Sequence, residues 1–335
     1  MSRQHSRRTF LALGGSAAVA AVAAACTRGS GSGGTATTAG SSSGSSAAGS
    51  STAPTSPSAT PSPTPKLTTA VHVSLLNGDG DVRGVGMPII AFVDQPITDA
   101  KAFNAATVVT VNGAPVEGNW YWQETARGDG SVYEAHWRPE KYWPAHAKIH
   151  MDLPVANVLA GADTTAGGGN FYFDNSLTLD MSTGVAYIGT VDAASHQMTV
   201  TADGAAFGTY PVSLGAPDTP TARGIKVIME KGLDIRMSGP GYDDPHVKFT
   251  QRLTYGGEYL HSAPWNVGNI GQRSTSNGCT NLLPANAETL YNTFEIGDVF
   301  VYPNADGPAM TVGAGYGDWN LPWAQWQAGG LFKPA

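Results

Sequence analysis

One stretch of this 335-residue chain reads Met198-Thr199-Val200-Thr201-Ala202-Asp203-Gly204-Ala205-Ala206-Phe207-Gly208-Thr209-Tyr210-Pro211-Val212, and it decides the fold class. Two runs that contain β-branched and aromatic residues flank the Asp203-Gly204 pair. Asp and Gly tolerate the positive φ angles that a two-residue hairpin turn requires. The stretch therefore predicts a β-hairpin.

The same pattern recurs on both sides of this hairpin. Upstream, turn residues such as Asn112-Gly113 separate short runs of strand-forming residues. These runs are Ile89–Val93, Thr107–Val111, Trp120–Trp122 and Tyr133–Trp137. Strands at this spacing predict a β-sandwich over residues 67–180. Downstream, Ile225–Met229 and Asp298–Tyr302 add strands to a second β-rich domain over residues 181–304, so we expect a mainly β protein.

Short helices are predicted in two places. Leu290 and Phe294 lie four residues apart, and Pro284 stands just upstream, where a helix start tolerates proline. A helix is therefore expected over residues 286–294. In the C-terminal extension, residues 305–335, Trp319 and Trp323 are also four residues apart. We expect a second short helix there, packed by its aromatic side chains on the domain 181–304.

The N-terminus is typical of an exported protein. Arg3, Arg7 and Arg8 stand in a segment without acids, and the apolar stretch 11–25 follows. This stretch is too short to span a bilayer comfortably and instead indicates an export signal. The Arg7-Arg8 pair resembles a twin-arginine signal. Ala23-Ala24-Ala25-Cys26 resembles a bacterial lipobox, although the usual Leu is missing.

Residues 1–26 are therefore interpreted as a lipoprotein signal that ends at Cys26, with ordinary cleavage near Ala25 as the alternative. A lipid at Cys26 would hold the chain at the outer face of the cytoplasmic membrane, in the periplasmic space or the cell wall. Residues 27–66 are rich in Gly, Ser, Thr and Pro, and they cannot bury enough apolar surface to fold. They are predicted to be a disordered linker between the anchor and the domains.

The charge balance narrows the classes of partner. The formal net charge is −7, and removal of three signal arginines leaves 16 Lys+Arg against 26 Asp+Glu, or about −10. The chain has no basic stripe interleaved with aromatic residues, so we expect no nucleic-acid partner. An acidic protein needs another means of staying near an anionic membrane, which a lipid anchor supplies.

Cys279 is the one thiol that remains if Cys26 is lipidated or removed. A single thiol cannot form an internal disulfide, and an odd Cys in an exported protein indicates a reactive thiol or an intermolecular pairing. A buried, inert Cys is the alternative. The histidines are scattered, and we predict neither a metal site nor a cofactor.

His261 precedes Cys279 by 18 residues, and a polar loop over residues 266–277 joins them. Thiol chemistry needs a base that removes the proton and N–H donors that stabilise the oxyanion. Gly278 lets the backbone turn tightly beside the thiol. From these residue types alone, a catalytic pair and a structural His beside a buried Cys fit equally well.

Three separated stretches resemble the L,D-transpeptidase family of bacterial cell-wall enzymes. The family motif is a His, a variable loop and then Ser/Thr-His-Gly-Cys-x-Asn. The stretches are Tyr255–Trp265 with its continuation to Asn281, Gly317–Trp326, and Trp137–Ala145. The last is similar to the immunoglobulin-like domain that precedes catalysis in mycobacterial and actinobacterial members. The resemblance covers residues 67–330 and implies an immunoglobulin-like β-sandwich followed by a β-rich L,D-transpeptidase catalytic domain.

The resemblance implies an activity. Cys279 would attack the third stem residue of a peptidoglycan tetrapeptide, release D-Ala and form a thioester, which an acceptor stem would convert into a 3→3 cross-link. Carbapenem β-lactams would be covalent inhibitors. An L,D-carboxypeptidase, which uses water as acceptor, and a catalytically weak wall-binding lipoprotein remain open as alternatives.

The family roles transfer to matching positions. His261 would be the base, and Ser262 would orient its ring. Substrate-binding positions would be Tyr242, Met229, Trp265, Gly256, Gly257, Gly278, Asn281 and Asn277. One position departs from the motif, because Asn277 replaces the family His two residues before the Cys. Asn forms hydrogen bonds but does not titrate, so the substitution bears on rate, substrate preference and inhibitor reactivity.

Overall fold

The computed structural model describes residues 66–164, 168–239 and 242–333. The predicted export signal with Cys26, and the predicted linker apart from Lys66, lie outside these residues. Within the described part, no helix is both long and apolar enough to cross a membrane.

The described part of the chain is built mainly from strands, which confirms the predicted fold class. The strands are β1 (Leu67–Val71), β2 (Val73–Leu75), β3 (Val82–Arg83), β4 (Ile89–Val93), β5 (Val108–Val111), β6 (Ala114–Pro115), β7 (Gly118–Glu124), β8 (Tyr133–Pro139), β9 (Lys148–Leu153), β10 (Leu159–Ala162), β11 (Asn170–Phe173), β12 (Leu177–Thr183), β13 (Tyr187–Asp192), β14 (Gln197–Ala202), β15 (Ala205–Ser213), β16 (Gly224–Val227), β17 (Glu230–Gly239), β18 (Tyr242–Arg252), β19 (Tyr259–Ser262), β20 (Thr280–Leu282) and β21 (Val299–Tyr302). The helices are α1 (Lys101–Ala106), α2 (Pro284–Thr293) and α3 (Trp323–Trp326), with 3-10 turns at Pro264–Asn266 and Asp318–Asn320.

The N-terminal strands form the predicted sandwich. One sheet has the order β2-β4-β8-β7 and another has the order β3-β12-β9-β5-β6, while β1, β11 and β10 form a smaller sheet. Aromatic side chains fill the core, because Phe103 of α1 packs edge-on against Trp120 and Trp122 with ring centroids 5.3 and 5.0 Å apart. The Asn112-Gly113 turn has the positive φ angles that its residue types predict.

The second domain is a nine-stranded mixed sheet with the order β16-β21-β13-β14-β15-β20-β19-β18-β17. The predicted hairpin is confirmed as β14 and β15, with φ of 49° at Asp203 and 81° at Gly204. Helix α2 begins at Pro284, two residues before the predicted start, and buries Ala287 and Leu290 against the sheet.

The C-terminal extension differs from its prediction in two ways. Its helix α3 begins at Trp323, because Pro322 caps the helix and interrupts the expected continuity with Trp319. Its aromatic part packs on the sandwich, whereas packing on the domain 181–304 was predicted. Trp326 donates from Nε1 to the carbonyl of Asn119 at 2.8 Å, and the Arg138 guanidinium lies 4.4 Å from its ring centroid.

A buried charge pair explains this packing. Asp318 of the extension is fully buried, and its Oδ2 lies 2.9 Å from Nδ1 of His136 on β8. Burial alone would lower the pKa of His136, but Asp318 and Glu134 raise that pKa to about 10. A buried carboxylate requires such a cation, and the sandwich supplies it. Earlier residues of the extension contact the second domain, where Met310 donates its N–H to the carbonyl oxygen of Arg223.

Candidate active site

Parallel strand pairing brings His261 and Cys279 together. β19 and β20 pair in parallel, with Leu260 opposite Thr280 and His261 opposite Asn281. Cys279 directly precedes β20 and so lies beside the start of β19. Parallel neighbours need a crossover connection, and the polar segment between the two strands, which begins with the 3-10 turn, provides it.

The two side chains share one cavity of about 170 Å³. The flap, which we define as the hairpin of β17 and β18, forms one wall, and the crossover and the Cys279 segment form the others. The lining residues are Met237, Tyr242, Asp244, Val247, His261, Trp265, Asn266, Thr275, Ser276, Asn277, Cys279 and Asn281. A cavity that joins a thiol and an imidazole is suited to acyl transfer.

Both ring nitrogens of His261 form hydrogen bonds. Nδ1 lies 2.8 Å from the carbonyl oxygen of Ser262, so it carries the proton and donates. Nε2 then accepts from the side-chain amide of Asn281 at 2.9 Å. Burial lowers the pKa of His261, while the Ser262 carbonyl and Asp244 act in the opposite direction. The imidazole is therefore neutral near neutral pH and has its lone pair on Nε2, as a general base requires.

A chain of amides orients Asn281. Asn269 donates from Nδ2 to Oδ1 of Asn266 at 2.6 Å, and Asn266 donates to Oδ1 of Asn281 at 2.8 Å. The guanidinium of Arg273 donates to Asn269 at the outer end. Every bond in this chain points toward His261, so the chain fixes which end of the Asn281 amide faces the ring.

The thiol of Cys279 is protonated in this resting arrangement. Sγ donates to the carbonyl oxygen of Gly257 at 3.5 Å, and burial raises the pKa of the thiol to about 12. The side chain is 9% exposed and lines the cavity, so it is accessible only from that side. A neutral thiol beside a neutral imidazole must transfer its proton during the reaction, because the thiolate is the nucleophile.

The backbone before Cys279 adopts a conformation that favours glycine. Gly278 has φ of 104°, in a region that residues with a Cβ rarely adopt. Its carbonyl accepts from the hydroxyl of Thr221, and the carbonyl of Ser276 accepts from Thr219, each at 2.9 Å. Two hydroxyls of the loop between β15 and β16 thus hold this segment, which sets the position of Cys279.

Gly278→Ala is expected to lower turnover about tenfold or more, because displacing the adjacent nucleophile by a fraction of an ångström disrupts the attack geometry. The matched control is Gly204→Ala in the hairpin turn. Gly204 also has positive φ, at 81°, and a Cβ there meets nothing within 4 Å. Steady-state rates and thermal unfolding of both variants test this. Equal turnover in the two variants would contradict a positioning role for Gly278.

A buried ion pair lies next to the Cys279 segment. Nζ of Lys226 on β16 contacts Oε2 of Glu258, and it lies 3.9 Å from the ring centroid of Tyr302. The Lys226 side chain is 0% exposed. Oε1 of Glu258 accepts from the N–H of Ala222 at 2.8 Å. Lys226 lowers the pKa of Cys279 and Glu258 raises it, so their electrostatic effects on the thiol oppose each other.

Some of the predicted site residues line the cavity, and others do not. Tyr242, Trp265 and Asn277 line it with His261, Cys279 and Asn281, and the Trp265 ring stacks on His261 at 5.9 Å. Ser262 and Gly257 contact the pair through their backbone carbonyl oxygens, which accept from His261 and from Cys279. Gly278 acts through its conformation.

Two predicted pocket residues do not line the cavity. Met229 is partly buried against the hydrophobic core that the sandwich dominates. Met237 on the flap supplies the methionine of the lining instead. Gly256 lies in the turn between β18 and β19, outside the lining.

Sequence reasoning missed several lining residues, namely Met237, Asp244, Val247, Asn266, Thr275 and Ser276. For Asp244, the sequence did contain an indication, which is its spacing from Tyr242. Tyr242 and Asp244 are two apart on a strand, so they share a face. Had the flap been recognised as a strand pair, the prediction for Tyr242 would have included Asp244.

Comparisons with known proteins agree with this geometry. Residues 186–302 match the YkuD family model, an L,D-transpeptidase catalytic domain, and residues 35–159 match a bacterial Ig domain model. The chain is 34% identical over 284 residues to L,D-transpeptidase 2 of Mycobacterium tuberculosis (strain CDC 1551 / Oshkosh) and 29% identical over 280 residues to L,D-transpeptidase 5 of strain H37Rv. These matches cover 81% and 80% of this chain, which spans 66% and 59% of the length of those relatives.

A solved structure supports the same assignment. The LD transpeptidase LdtMt1 in complex with imipenem superposes with a TM-score of 0.55 at 27% identity, over 72% of this chain and 100% of the other. The fold, the two domain matches and the His261–Cys279 cavity agree. The chain therefore belongs to the L,D-transpeptidase family, with an immunoglobulin-like domain preceding a YkuD-type catalytic domain.

Proposed function

We propose that this protein is an L,D-transpeptidase that forms 3→3 cross-links between peptidoglycan stems through a thioester on Cys279. The observation that carries the proposal is the shared cavity in which a neutral His261, with its lone pair on Nε2, accompanies a protonated thiol. Membership of the family supplies the reaction class.

Acylation begins when Nε2 of His261 exchanges its bond with Asn281 for the thiol proton. The thiolate attacks the carbonyl of the third residue of a donor tetrapeptide, so that a C–S bond forms and the C–N bond to D-Ala breaks. His261 returns the proton to the departing D-Ala amine. Backbone N–H groups around Gly278 and Cys279 would stabilise the oxyanion. Tyr242, on the facing flap, would bind the donor.

The second half-reaction determines whether the enzyme is a transferase. An acceptor amine attacks the thioester carbonyl, the C–N bond of the cross-link forms, and the Cys279 thiolate leaves. Attack by water would instead give a tripeptide. Both steps use the same base, so the acceptor bound in the cavity decides the product.

The test is incubation of the purified protein with a tetrapeptide muropeptide, with products read by mass spectrometry. We expect a cross-linked dimer together with released D-Ala. A tripeptide as the sole product would contradict the transferase assignment in favour of an L,D-carboxypeptidase. A folded protein that releases no D-Ala would contradict catalysis and favour a wall-binding role.

We also propose that carbapenems acylate Cys279. A relative with the same domain was solved in complex with imipenem, and a β-lactam carbonyl is an acyl donor that the same thiol can attack.

We further propose that the protein acts outside the cytoplasmic membrane, anchored by a lipid on Cys26. Support for this comes from residues 1–26 of the sequence alone. Detergent-phase partitioning of the full chain from cells tests it. Recovery in the aqueous phase would contradict the anchor.

A further inference from the structure

Asp244 is the one carboxylate among the described residues that line the active-site cavity. No lysine or arginine in the described part of the chain lines it, and His261 is neutral for the reasons given above. The cavity therefore presents a single negative charge, on the flap wall, to whatever binds beside Cys279. The acceptor that the transferase reaction brings in has the opposite charge, because an alkylamine with a pKa of about 10 arrives as an ammonium ion.

The pairing of the flap strands directs Asp244 into the cavity. Asp244 lies opposite Met237, which also lines the cavity, while Asp243 lies opposite Ser238 on the other face. Asp243 forms an exposed ion pair with Arg236, whose Nε lies 2.8 Å from Oδ1. Two adjacent aspartates thus differ in their surroundings, because successive residues of a strand point to opposite faces.

The carboxylate of Asp244 is available to a ligand. Its Oδ1 accepts from the backbone N–H of His246 at 3.1 Å, and within the described residues no Lys, Arg or His side chain forms an ion pair with it. The imidazole of the neighbouring His246 pairs with Asp234 instead, at 3.3 Å. Asp244 is half-buried, so its charge is less screened than that of an exposed residue.

Asp244 also acts on the catalytic base. Its charge raises the pKa of His261, against the larger effect of burial. A cation bound by Asp244 would lie within the field of the group that must accept its proton. This proximity favours a role for Asp244 in the acceptor step, in which the base removes a proton from an amine. In the donor step the base removes a proton from the thiol, which brings no cation to Asp244.

We propose that Asp244 is the specificity-determining residue that binds the ammonium group of the acceptor stem beside the thioester. The inference rests on the proposed transpeptidase function and assigns its acceptor site. Asp244 would favour an amine over water in deacylation by concentrating the cationic acceptor at the cavity, and it would hold the amine where His261 can deprotonate it.

The protons balance in this step. Of the three protons on the acceptor ammonium, one passes to Nε2 of His261, which frees the nitrogen lone pair. The nitrogen attacks the thioester carbonyl, the C–N bond forms and the C–S bond breaks. A second proton ends on the Cys279 sulfur, and the third stays on the new amide. His261 then releases its proton to solvent.

The experiment compares Asp244→Asn with Asp243→Asn, its matched control on the opposite face of the same strand. Each variant is given the tetrapeptide muropeptide, and two quantities are measured. The rate of D-Ala release in the first turnover reports acylation, and the ratio of dimer to tripeptide reports acceptor choice. For Asp244→Asn we expect the ratio of dimer to tripeptide to fall about tenfold or more, and to fall further than the first-turnover rate of D-Ala release. Asp243→Asn should keep the wild-type ratio, and Asp244→Glu should retain most of it.

Two results would overturn the assignment. One is an unchanged ratio in Asp244→Asn. The other is an equal fall in D-Ala release and dimer, which would place Asp244 in the donor step. If the wild-type protein releases no D-Ala, the proposed function fails independently of this inference. Circular dichroism confirms folding of each variant, and Asp244→Ser replaces Asp244→Asn if the latter does not fold.

Discussion

Cys279→Ala is expected to lower turnover of tetrapeptide stems by at least about 10⁴-fold, because the thioester route requires the thiol and no other nucleophile can replace it at that position. The substitution removes only the sulfur and its proton, from a side chain that is already small. The fold should therefore lose about 1 kcal/mol of stability or less, within the ordinary range of a point mutation. D-Ala release from the muropeptide, measured on protein of verified thermal stability, checks the expectation.

The chain supplies its own control for this prediction. Cys26 is the other cysteine of the sequence, and it belongs to the segment interpreted as an export signal, outside the described residues. Cys26→Ala should keep the wild-type turnover in the purified protein. Cys279→Ala retaining more than about one hundredth of wild-type turnover would exclude covalent catalysis by this thiol.

Lys226→Met is expected to reduce the free energy of unfolding by about 3–5 kcal/mol, because removal of one partner leaves a mostly buried charge without its counter-ion. Glu258 would keep its bond to the N–H of Ala222 but lose the ammonium that compensates its carboxylate. Tyr302 would lose the cation that lies over its ring. Because Glu258 follows Gly257, whose carbonyl accepts from the thiol, we expect turnover to fall with stability.

Urea unfolding of two further variants isolates the ion pair as the cause. Lys248→Met removes an exposed lysine of β18 and should change stability by less than about 0.5 kcal/mol. The double variant Lys226→Met/Glu258→Gln removes both charges and keeps an oxygen that accepts from Ala222. It should recover most of the lost stability. Unfolding of Lys226→Met like wild type, or a double variant less stable than the single one, would contradict a stabilising role for the Lys226–Glu258 pair.

Local sequence patterns were enough to predict the strands that carry their own turn signals. Asp203-Gly204 predicted the β14–β15 hairpin, and Asn112-Gly113 predicted the turn after β5. The family motif predicted His261 and Cys279 as a pair, and parallel pairing of β19 with β20 explains how residues 18 apart line one cavity.

The remaining features depend on tertiary contacts that sequence reasoning did not reach. Lys226 lies in a predicted strand, and the strand pattern did not indicate that Glu258, 32 residues later, is its partner. Asp318 belongs to the extension that was predicted to pack on the catalytic domain. Its carboxylate is instead buried beside His136 of the sandwich. Met229 was assigned to the pocket from the resemblance, but it packs against the hydrophobic core, and Met237 of the flap lines the cavity.

The central claim is that Cys279 is the nucleophile of an acyl-enzyme formed in this cavity. Intact-mass measurement after exposure to imipenem, followed by peptide mapping, tests it most directly. We expect one covalent adduct on the wild-type protein, located on the peptide that contains Cys279 and absent from Cys279→Ala. A folded wild-type protein that forms no adduct, or an adduct that persists in Cys279→Ala, would contradict the claim.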